Sequence, residues 1–67
     1  MNVLHTAHVQ ADIRFSKSEL ILLNNALNEV CNGVDFSDSE FHTRLGTTKP
    51  EGRALLAQIG GVLEVMK

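Results

Sequence analysis

Four side chains in this sequence carry ligand or nucleophile chemistry: His5, His8, His42 and the single cysteine, Cys31. A thiolate beside an imidazole makes a nucleophile–base pair, and two imidazoles on one face make half of a metal site. The spacing favours neither. Residues three apart on an extended strand point to opposite sides, so His5 and His8 cannot grip one ion from a regular strand. Cys31 ends an apolar stripe, where a thiol is a buried and inert packing group. His42 follows Phe41 and reads as a surface or half-buried hydrogen-bonding group. Only a fold that gathered His5, His42 and Cys31 would make a ligand pocket or a reactive centre. No catalytic residue, metal or cofactor is assigned.

Three further stretches have suggestive spacing. Residues 35–40 are rich in oxygen donors, but they lack the central glycine and the twelfth-position glutamate of an EF-hand loop. Helix capping explains Ser37 and Glu40 without an ion. Lys49 follows Gly46, Thr47 and Thr48 without the spaced glycines of a phosphate loop. Residues 41–56 have the outline of a helix-turn-helix, with Leu45 and Gly46 where the turn would want them. Against that, Thr47 and Gly52 stand at places that should be apolar, and Pro50 lies in the first turn of the second helix.

The bulk composition narrows the choice. Sixty-seven residues make one domain, 1–67, whose core is marginal unless something supplements it. One cysteine allows no internal disulfide, so oligomerisation or unusually tidy helices must supply the rest. The formal charge of −2 argues against nucleic acid, which demands a clustered basic face. Charge is uneven: Glu29, Asp35, Asp38 and Glu40 precede a short basic stretch holding Arg44, Lys49 and Arg53. This reads as a solvated acidic loop beside a basic turn, or as a docking patch for a basic partner. The opening residues form no signal peptide, and no run approaches a membrane span. A lone cysteine suits a reducing interior, and the expected compartment is the cytoplasm.

The elements that position these side chains are written locally. From residue 3 to 15 the odd positions are apolar except His5, and the even ones are polar except Leu4. That period of two predicts one long strand, roughly 43 Å end to end at about 3.3 Å per residue. No Gly or Pro marks a reversal within it. A lone strand leaves its backbone groups unpaired, so the expected partner is a second copy, joined antiparallel with its centre near Ala7 to Val9. Its odd face is expected to rest on helices, with Val9, Ala11, Ile13 and Phe15 against Leu23, Leu27, Ile59 and Val62.

Three helix starts share one idiom. Ser16 and Glu19 have capping-box spacing, flanked by Phe15 and Leu20 at the staple positions. Leu20, Leu23, Leu27, Val30 and Cys31 then form a stripe, the asparagines at 24, 25 and 28 form a polar face that is solvated or makes specific hydrogen bonds, and Gly33 ends the helix in the left-handed conformation. Ser37 and Glu40 repeat the box for a short helix closed by Gly46. Thr48 and Glu51 start a third helix, with Pro50 tolerated in its first turn. Gly60-Gly61 marks either a kink or a close backbone approach.

The expected fold is therefore α+β: one long N-terminal strand, then helix, short helix and helix, with strands paired antiparallel across a homodimer or larger homo-oligomer. The expected function is a non-enzymatic interaction module, an inhibitor, immunity-like or accessory protein acting on an unidentified protein partner. Its contact residues would be His8, Gln10 and Asp12 on the strand and Asp35, Asp38 and Glu40 in the acidic segment. The alternatives are a DNA-binding regulator built on residues 41–56 and an enzyme or ligand binder with its pocket at the dimer seam.

Overall fold

The computed structural model describes residues 1–66, and in it the opening segment reverses direction. Strands β1 (Asn2–Thr6) and β2 (Ala11–Arg14) pair antiparallel within the chain. The Ala7 N–H donates to the Gln10 carbonyl at 2.8 Å and closes the turn. The single long strand expected from the alternation is thus corrected to a hairpin. Closing a short loop costs little chain entropy and pairs one edge of each strand within the molecule. No residue of the turn takes a positive φ. The primed turns that demand Asn or Gly are therefore not used, and the sequence carries no turn signal.

A β-bulge sets the faces of the hairpin. Val3 pairs with Ile13, but His5 pairs with Asp12, so Leu4 is the extra residue. Beyond it the register of β1 slips by one. His5 moves to the side of Asp12 and Arg14 rather than the apolar side, and Thr6 joins Ala11, Ile13 and Val3. The hairpin contacts no helix among the described elements, which corrects the expected packing of its odd face on Leu23, Leu27, Ile59 and Val62. Every strand residue is exposed.

The helices begin where their caps place them. Helix α1 (Lys17–Asn28) carries the full capping box: Ser16 Oγ accepts from the Glu19 N–H at 3.2 Å, and the Ser16 N–H donates to Glu19 Oε1 at 2.8 Å. The helix does not stop at a left-handed Gly33. It runs into a single π turn, Glu29–Gly33, ended by a Val34 N–H bond to the Glu29 carbonyl. Gly33 has no positive φ. Helix α2 (Asp38–Leu45) is capped by Ser37, which accepts from the Glu40 N–H at 3.1 Å. It closes at Gly46, whose φ of 74° is the left-handed state that glycine adopts without strain. Helix α3 (Lys49–Val65) is capped by Thr48 and continues unbroken through Gly60 and Gly61.

Helices α1 and α3 pack antiparallel. A Cβ built on Gly60 would stand 3.7 Å from Asn24 Oδ1, and one built on Gly52 would stand 3.2 Å from Cys31 Sγ. Phe41 of α2 closes the same end, since its Cζ would lie 3.0 Å from a Gly52 Cβ. Cys31 and Phe41 are the buried hydrophobic side chains among the described residues. Asn24, grouped by sequence with the polar face, is half-buried at the α1–α3 contact, while Leu23 lies at its rim.

Candidate interaction surfaces

The residues singled out for chemistry fall in separate places. His5 lies on β1 with its Nδ1 4.0 Å from Asp12 Oδ2, both side chains well exposed. Such a pair contributes little in open solvent. Cys31 is buried and His42 is exposed on α2. The hairpin that carries His5 touches no helix, so the three do not converge. Among the described residues no three His, Cys, Asp or Glu side chains gather to hold an ion.

The six expected contact residues divide into two groups. His8 and Gln10 belong to the hairpin turn and Asp12 to β2, all exposed. They do not make one flat strand face, because the turn carries the first two away from the ladder. Asp35 is exposed in the connection before α2, and Asp38 and Glu40 sit in that helix's first turn. Carboxylates there suit the positive end of the helix dipole. They are thus placed by local helix chemistry while remaining open to solvent.

The basic residues beside them are partly engaged within the chain. The Lys49 ammonium donates to the Phe36 carbonyl and lies 3.8 Å from Asp38 Oδ1. Arg44 stacks its guanidinium 5.4 Å from the Phe36 ring centroid. Phe36 is therefore the hub that draws the basic turn against the acidic connection. Arg53 is exposed on α3. With Lys49 it borders two shallow recesses, one of about 460 Å³ beside Asp38, Thr48 and Pro50 and one of about 400 Å³ beside residues 31–35. Both are open and lie against each other.

In a helix-turn-helix frame, Gly52 stands where a branched side chain belongs, and the geometry gives the reason. Helix α3 presses its backbone onto Phe41 and Cys31 there, leaving no room for one. Two of the three cations that would face a phosphate backbone are held by Phe36 instead.

The strongest electrostatic feature lies at the start of α1. The Met1 amino group donates to Glu19 Oε2 at 2.5 Å while Glu19 Oε1 accepts from the Ser16 N–H. The ammonium and the backbone bond hold the Glu19 carboxyl down to a pKa of about 2. This contact ties the front of the hairpin to the capping box of α1, a link that strand alternation alone does not reveal.

A feature that sequence reading missed is apolar. Leu23 remains exposed although it belongs to the apolar stripe of α1, and Leu55, Val62 and Met66 remain exposed on α3 and its C-terminal end. No described helix is long and apolar enough to cross a membrane. No protein family, curated protein or solved structure matches the chain.

Proposed function

We propose that this chain is a small non-enzymatic interaction module that works as a homodimer. The observation that supports it is surface left uncovered. The chain exposes 5138 Å². A compact monomer of its 7.4 kDa mass would expose only about 4,200 Å². The excess, about 900 Å², is close to the ~800 Å² that each partner buries in a standard protein interface. The shape agrees: the slab measures 35 × 33 × 15 Å, and its radius of gyration is 13.2 Å against about 11 Å for a globular chain of this length.

Within that reading, the dimer presents two surfaces to a further protein. One is the acidic segment with Asp35, Asp38 and Glu40, and the other is the hairpin with His8, Gln10 and Asp12. The hairpin turn rests on no helix, while α2 holds Asp38 and Glu40 in place with their carboxylates open to solvent. The test is the mass of the purified chain by analytical ultracentrifugation from low to high micromolar concentration. A species of twice 7.4 kDa is expected, and a folded single-chain species throughout would refute the homodimer.

A further inference from the structure

Where a second copy sits follows from the phases of α1 and α3, given the homodimer reading above. Toward each other, α1 turns Leu20, Asn24, Leu27 and Cys31, and α3 turns Gly52, Leu56, Ile59 and Leu63, all at least half-buried. At about 100° per residue, Leu23 lies roughly 70° to one side of that stripe on α1. Leu55, Val62 and Met66 lie about 50–90° from the stripe of α3 in the same rotational sense. The helices run antiparallel, so the same rotational sense about each axis brings both flanks to one side of the pair. That side is a continuous apolar face. Leu55 and Val62 are each 49% exposed within it. The opposite side carries Asn25, Asn28, Arg53 and Glu64, with Ile21 and Ala57 among them.

We infer that this face, built by Leu23 and Ala26 of α1 with Leu55, Val62 and Met66 of α3, seats a second copy of the same chain. The result is a four-helix bundle about a twofold axis. The whole chain's excess surface of about 900 Å², to which the exposed hairpin also contributes, is of the size that one partner covers. The charges offer no register for a different partner: Glu19 and Glu51 stand at the two ends of the face and are tied within the chain, to the Met1 amino group and the Thr47 hydroxyl. Between them the face is uncharged, with Gln58 at its outer edge. It therefore complements a surface like itself, and the hairpin edges and the acidic segment stay outside the seam.

Two measurements test this together. Val62→Glu and Leu55→Glu each place like charges across the seam and weaken self-association by about a hundredfold. Val9→Glu, at the 88% exposed turn of the hairpin, leaves self-association unchanged. Should the charged variants fail to fold, Val62→Cys and Val9→Cys are alkylated in the native chain, with the buried Cys31 as the internal slow reference. Expected is a dimer in which the residue-62 thiol reacts at least about tenfold more slowly than the residue-9 thiol. A dimer with the residue-62 thiol freely reactive and the hairpin protected overturns the seam while sparing the homodimer. A single-chain mass overturns both.

Discussion

Glu19 joins the capping box, the chain's amino group and the hairpin in one set of bonds, so its ionisation is coupled to folding. Its folded pKa of about 2 lies below the ordinary value of 4.5. Its stabilising contribution is therefore fully present above about pH 4.5 and is lost as the pH falls toward 2. Comparing Glu19→Gln with the native chain by urea unfolding should show a gap that is constant at neutral pH and closes in acid. The glycines of α3 make a second residue-scale contrast. Gly61 has open space where a Cβ would go, so Gly61→Ala should stabilise the chain by about 0.5–1 kcal/mol through helix propensity. Gly52→Ala gains the same propensity but drives a methyl into Phe41 and Cys31. Overpacking costs about 1–3 kcal/mol, so the net effect should be a loss in melting experiments.

At the scale of elements, what could be read in advance was whatever is written within four residues. Ser16, Ser37 and Thr48 cap the three helices where their spacing to Glu19, Glu40 and Glu51 said they would. Such signals are local, and tertiary contacts have little power to move them. The hairpin escaped for the converse reason. Its turn uses ordinary side chains at negative φ, and its bulge at Leu4 resets the alternation on which a single strand was inferred. The end of α1 escaped too, because a π turn keeps Gly33 at an ordinary φ. Since the hairpin rests on no helix, its amides should exchange with solvent well before those of α1 and α3. Hydrogen exchange at neutral pH checks this, and equal protection of strands and helices would mean that another surface covers the hairpin.

The whole molecule is a thin helical layer with a hairpin that packs on no helix and is tethered to α1 through Met1 and Glu19, and its buried hydrophobic core amounts to Cys31 and Phe41 among the described residues. Composition already said that a chain of this length would need a supplement. It did not say which surface supplies it, because that depends on the rotation of α1 and α3 about their axes, fixed by Gly52 and Gly60 at their contact. The candidate contact residues were recognisable only as exposed polar positions, whose grouping depends on the turn at residues 7–10 and the fold-back of the acidic connection onto Lys49. If the helical layer is completed by its own copy, folding and association are one process, and the unfolding midpoint must depend on protein concentration. The decisive measurement is thermal unfolding by circular dichroism across a hundredfold range of concentration, paired with sedimentation equilibrium on the same samples. A midpoint that climbs with concentration alongside a mass of two chains is the expected result. A constant midpoint with a folded 7.4 kDa species throughout would contradict it.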